Sequence, residues 1–194
     1  MYLIKYFVYF SILVWLLPPF RQLKGGYFLY FLILGYSDPL ALFLGWIFKL
    51  NLEYTHLVIA FLLTITVLFY NNNLNLKWIG SLFLLLILSI LKVGVENRYF
   101  YFVIFHIIIY LQILIPSIKE FYLKHQINLY FTVLLIYELT TILKFVAVIY
   151  NYFSGVYLFY LSAVFEMFIA LFFIFYNLQN SPHIKLPVRL TEEK

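Results

Sequence analysis

Seven apolar runs divided by short polar connections dominate this chain, each 18–24 residues and so about long enough to cross a ~30 Å hydrocarbon layer at ~1.5 Å per residue. They cover Tyr2–Phe20, Tyr27–Phe48, Leu52–Tyr70, Trp78–Val95, Tyr99–Ile118, Ile127–Tyr150 and Val156–Asn177. Lipid offers no hydrogen bond to a bare backbone, so a spanning segment must be a helix or a strand of a closed barrel. The runs are too long for barrel strands and lack strict alternation. The expected fold is therefore all-α, a polytopic transmembrane bundle of about seven helices over residues 1–178, with a short cytoplasmic tail at 179–194. Composition agrees: 65% of residues are hydrophobic and 11% charged, where a soluble domain carries roughly 25% charged.

The second run contains Ser37-Asp38-Pro39, and a proline removes one backbone donor, so this segment reads either as a kinked helix or as a re-entrant hairpin. The basic residues arbitrate. With seven crossings, Arg21, Lys24, Lys77, Lys119, Lys124, Lys185, Arg189 and Lys194 fall on one side, eight against the four of Lys5, Lys49, Lys92 and Arg98. A hairpin softens this to seven against five. The positive-inside bias thus favours seven crossings of the cell's inner (plasma) membrane, with the N-terminus outside and the C-terminus cytoplasmic. That distribution also accounts for the net charge of +5 through contact with anionic headgroups, and direct nucleic-acid binding is not expected. Pro18-Pro19-Phe20-Arg21 follows the first run where a cleavable leader would place small residues, so this run is expected to remain as a helix. The chain has no cysteine, which excludes disulfides, thiolate metal sites and a cysteine nucleophile.

Ionisable residues within the apolar runs carry the functional information, because a charge inside a membrane is costly unless paired, solvated or used. Asp38, Glu138 and Glu166 lie near the centres of the second, sixth and seventh runs, with His106 and Lys144 at similar depth on the fifth and sixth. These five residues are the candidate lining of an intramembrane pocket for a small polar solute, an ion or protons. Gly35, Asp38, Ala41 and Gly45 share one helix face, as do Ser162, Glu166 and Ala170, so both acids are expected to point into the bundle. On the sixth helix Glu138 and Lys144 are roughly 120° apart, which directs Lys144 toward another helix, to Asp38 or Glu166. Glu53, His56, Ala60 and Thr64 form a polar stripe that starts at the outer interface of the third helix.

Other chemistries fit less well. Glu53-Tyr54-Thr55-His56 is a single Glu-x-x-His unit where a di-metal bundle needs two, and His56 is placed ~10 Å from the depth of His106 at ~1.5 Å per residue, so no metal and no cofactor is expected. No Gly-x-Ser-x-Gly elbow accompanies Ser37, which leaves a membrane-embedded metal-dependent hydrolase as a distant alternative. The nearer alternative is a non-enzymatic accessory or regulatory subunit of a larger membrane system, such as a defence or CRISPR-associated one, with a protein partner or a second copy of the chain. Seven-helix carriers built as two three-helix bundles around a linker helix offer a weak parallel, since the first and fifth runs end at prolines and the second and sixth hold acids. Pro19 and Gln22 have a faint similarity to sugar carriers with Pro-Gln motifs, but here the two residues are not adjacent and do not recur. The layout, with EYTHLVIAFLL opening the third helix and VFEMFIALFF in the last, resembles small seven-helix bacterial membrane proteins, which implies a membrane bundle and no particular activity.

Overall fold

A computed structural model describes residues 2–23, 25–49, 52–71, 76–91, 95–150 and 155–185, with the side chains of 2–5, 8, 52–53, 76–78, 85, 88–91, 95–98 and 155–160 outside the description. Of the basic residues counted above, Lys24, Lys92, Arg189 and Lys194 lie outside the described residues, as do most of the Asn71–Asn75 and Asn151–Gly155 connections and the last nine residues of the tail. The chain is mostly helical: α1 (Tyr2–Trp15), α2 (Pro18–Gln22), α3 (Phe28–Phe48), α4 (Leu52–Tyr70), α5 (Leu76–Leu91), α6 (Val95–Lys124), α7 (Leu129–Ile149) and α8 (Gly155–Phe175). Among the described residues, three helices are long and apolar enough to cross a membrane, at Phe28–Phe48, Tyr99–Lys124 and Leu129–Ile149, with shorter apolar helices at Tyr54–Tyr70 and Leu161–Phe175. Large apolar side chains on their outer faces, Trp46, Phe48, Phe168 and Phe175 among them, are exposed, as expected of a surface solvated by acyl chains.

The first run is not one helix. It breaks after Trp15 and restarts as α2 at Pro18-Pro19, since proline lacks the donor that an interior turn needs but fits the first turn. The second run is one continuous helix with Pro39 inside it, so no hairpin forms there. The Ser37 hydroxyl donates to the Leu34 carbonyl at 2.7 Å, within the turn that Pro39 disturbs. The fifth run extends beyond its expected ends into a 30-residue helix, so Glu96-Asn97-Arg98 belongs to α6 rather than to a turn.

Six helices close a ring in the order α1, α3, α4, α6, α7, α8, with α8 returning to α1, while α5 packs against α4 outside it. Lipid tails are as apolar as the helices, so close packing and interhelical hydrogen bonds hold such a ring. Gly35 illustrates this. A Cβ there would sit 2.5 Å from the Trp15 carbonyl, so α1 and α3 meet at a spacing that only glycine permits.

At one end of the ring the interior is filled by aromatic rings. Tyr27, Tyr30, Phe31, Tyr130, Phe131 and Phe173 are buried, with Phe31 and Phe173 centroids 4.7 Å apart and Tyr130 and Phe173 at 5.3 Å. Gln22 sits among them without exposed surface and donates to the Phe173 and Tyr176 carbonyls at 3.2 and 2.9 Å, satisfying groups that the end of α8 leaves without helical partners. Its own Oε1 accepts from the Tyr130 hydroxyl. The Tyr27 hydroxyl is buried, and among the described residues it has no hydrogen-bond partner.

Two expectations for the C-terminal part change. The sixth run starts its helix at Leu129, because Gln126–Asn128 instead forms β1, paired antiparallel with β2 (His183–Lys185) in the register Ile127↔Ile184. The part of the tail nearest α8 is therefore tied back to the α6–α7 connection, where Leu129 N–H also donates to the Pro182 carbonyl. The Asn128 side chain caps α7 by accepting from Tyr130 N–H at 2.9 Å.

Candidate functional site

All six ring helices contribute to a cavity of about 480 Å³. Its lining lies in the first half of α4, α6 and α8 and the second half of α7, which places it toward the end of the ring opposite the aromatic filling. From α3 come Gly35, Ser37 and Asp38, and from α4 His56, Ala60 and Leu63. From α7 and α8 come Tyr137, Thr141, Lys144, Phe145, Ala163 and Glu166. α1 supplies Ser11 and Trp15, while Tyr99, Phe102 and His106 enter from α6.

Of the five residues singled out inside the apolar runs, Asp38, His106, Lys144 and Glu166 line this cavity. Asp38 is exposed as it does so, and among the described residues no hydrogen bond or ion pair engages it. Lys144 Nζ donates to Glu166 Oε1 at 3.2 Å, tying α7 to α8, with both side chains less than one-fifth exposed. The choice left open for Lys144 thus falls to Glu166.

Glu138 is not on the cavity wall. It sits one layer behind it with no exposed surface, its Oε2 2.7 Å from His106 Nδ1 and its Oε1 accepting from the Tyr30 hydroxyl. A carboxylate with two hydrogen-bonded neighbours can persist in an apolar interior, whereas an orphaned one cannot. His106, 6% exposed, is the group through which Glu138 communicates with the cavity. Phe145 stacks on the His106 ring with centroids 5.9 Å apart and on Phe102 at 4.7 Å, so the imidazole is clamped between its carboxylate and an aromatic wall.

His56 joins Asp38, His106, Lys144 and Glu166 at the cavity. It lines the same cavity as His106 and interacts electrostatically with Asp38 and Lys144. The cavity is large enough for both histidines to line it, so an offset along their helices does not keep them apart. The Glu53 side chain lies outside the described ones. Thr64, the end of that stripe, is buried and donates to its own helix at Ala60 O over 2.8 Å. No group of three or more His, Asp or Glu suited to a metal ion occurs among the described residues.

Sequence reasoning passed over Tyr30, Trp15 and Tyr137, because tyrosines and tryptophans in such runs read as interfacial anchors, and took Gln22 only as half of a faint Pro-Gln likeness. The only signal was their number, since aromatic residues make up 23% of the chain, more than two interfaces need. Chemically the cavity offers an open carboxylate, a paired ammonium and carboxylate, two imidazoles and the rings of Trp15, Tyr99, Phe102, Tyr137 and Phe145 among aliphatic side chains. No protein-family model, curated protein or solved structure matches the chain.

Proposed function

We propose that this chain is a multi-pass protein of the inner (plasma) membrane, with seven crossings, the N-terminus outside and the C-terminus cytoplasmic, that binds and carries a small polar solute, an ion or protons. One observation carries this reading: a 480 Å³ cavity within helices of membrane-spanning character is lined by Asp38, His56, His106, Lys144 and Glu166. Each such group in lipid costs about 2.5–3.5 kcal/mol on insertion scales for an acid or a lysine. Bringing several to one open cavity exceeds what helix locking requires, since a lock needs no space between its groups. The ring supports the same reading, because the first three long helices (α1, α3, α4) and the last three (α6, α7, α8) close around the cavity while α5 stays outside, an arrangement compatible with two bundles and a linker.

The seven-crossing reading places the cavity in the outer half of the bundle and the aromatic filling on the cytoplasmic side. The test is uptake into proteoliposomes of a panel of small ions and polar solutes, with internal pH followed by a dye. Wild-type protein is expected to move at least one of them, and Asp38→Asn to abolish that movement while expressing and folding normally. Uptake equal in the two proteins overturns the reading.

A second reading has its own support. The Lys144–Glu166 and His106–Glu138 pairs join α7 to α8 and α6 to α7, which is what locks within an accessory subunit would do. A stoichiometric partner that co-purifies with the chain, in the absence of any solute movement, would establish it.

A further inference from the structure

The charges on the cavity wall do not cancel. Lys144 and Glu166 neutralise each other across 3.2 Å. His106 and Glu138 form a pair that is neutral if the imidazole is doubly protonated and negative if it is not, and in neither case positive. An isolated imidazole is mostly neutral at pH 7, so His56 adds no full charge, and Asp38 contributes an exposed carboxylate that no ion pair engages among the described residues. Among the described side chains, with His56 neutral, the cavity therefore has a deficit of one positive charge.

Its walls narrow what can supply it. Trp15, Tyr99, Phe102, Tyr137 and Phe145 all face the cavity, and the rings of Phe102 and Phe145 lie within 12° of parallel while Trp15 and Tyr137 centroids are 5.1 Å apart. Aromatic faces attract cations through their quadrupoles, and desolvation strengthens that attraction. A metal ion would want several oxygen or nitrogen ligands, and the described residues offer no group of three. An alkylammonium needs one carboxylate and aromatic walls, which are both present. A volume of about 480 Å³ falls within the usual range of small-molecule pockets.

Resting on the solute-binding reading above, we propose that the occupant of this cavity is a small organic ammonium ion, a protonated primary amine or a quaternary ammonium, held by Asp38 and by the aromatic wall around Phe102 and Phe145. The polar edge formed by Ser11, Ser37 and Thr141 accommodates a ligand hydroxyl or a water beside the cation.

The test is thermal unfolding of the full-length protein in detergent micelles at constant ionic strength, titrated with tetramethylammonium chloride, 2-phenylethylammonium chloride, sodium acetate and glucose. At least one ammonium salt is expected to raise the unfolding midpoint saturably, and acetate is not. Asp38→Asn, which removes an exposed carboxylate and so leaves the fold intact, should weaken that response tenfold or more, and Phe145→Leu should weaken it severalfold. An ammonium response unaltered by both substitutions overturns the assignment. Stabilisation by acetate or glucose without any ammonium response overturns the cation class but leaves the solute-binding cavity standing, and silence from all four probes overturns the cation class while the uptake assay decides the solute-binding reading.

Discussion

His106 on α6 and Glu138 on α7 meet at 2.7 Å, the imidazole lining the cavity and the carboxylate fully buried behind it. Removing the histidine leaves a fully buried carboxylate with the Tyr30 hydroxyl as its remaining side-chain partner. Breaking a buried pair from one side costs about 3–5 kcal/mol, because an uncompensated charge remains. His106→Ala is therefore expected to destabilise the protein by about that amount, and Glu138→Gln, which keeps the shape and removes the charge, by clearly less. Unfolding in mixed micelles measures both, and equal losses would mean that charge is not what the pair manages.

The Lys144–Glu166 contact is longer, at 3.2 Å, and both residues also face the cavity. Hydrogen bonds between membrane helices average ~0.6 kcal/mol, and charge-assisted ones run to about 2, so Lys144→Glu and Glu166→Lys should each cost at least about 1–2 kcal/mol. The double exchange is expected to recover most of that loss. Stability of the exchanged protein no better than the sum of the single losses would show that other neighbours hold these residues.

Gly35 and Gly80 form an internal control for packing. A methyl group at Gly35 meets the Trp15 carbonyl at 2.5 Å and Pro19 Cγ at 3.2 Å, whereas at Gly80 nothing lies within 4 Å. Gly35→Ala must push α1 and α3 apart, for about 1–3 kcal/mol of destabilisation. Gly80→Ala, in the peripheral α5, should stabilise by about 0.5–1 kcal/mol through helix propensity alone. Thermal midpoints of the two variants should move in opposite directions.

Because the chain lacks cysteine, single introduced cysteines report sidedness without background. Asn71→Cys and Asn180→Cys are expected to react with an impermeant thiol reagent from one side of the membrane, and Lys49→Cys and Tyr150→Cys from the other. Labelling of Lys49→Cys and Asn71→Cys from the same face would refute a full crossing by α4.

Hydropathy located the long helices because the cost of an unsatisfied backbone in lipid leaves no alternative to helix over such runs. It did not resolve the state of Pro39, since a proline kink and a proline turn differ by neighbours rather than by local sequence, and here Gly35, three residues past Leu32, lets α1 lie close enough to brace the continuous helix. The charged residues stood out individually, but their partners did not. Tyr30 and Glu138 are 108 residues apart, and nothing in either run marks one for the other. That His56 and His106 share one cavity was hidden for a related reason, as which residues of two helices face a common space depends on packing and not on either sequence alone. The β1–β2 ribbon escaped notice because three-residue strands leave no periodicity to read.

The aromatic filling around Gln22 gives the molecule the form of a cup rather than a pipe. Whatever enters beside Asp38 meets a floor of interlocked rings, and Gln22 ties α2 to the last turn of α8 beneath it. Under the carrier reading proposed above, passage to the far side would require that floor to split, and the bolt to draw is the pair of bonds from Gln22 to α8. A Gln22→Leu protein, with those bonds gone, would leak before it would unfold.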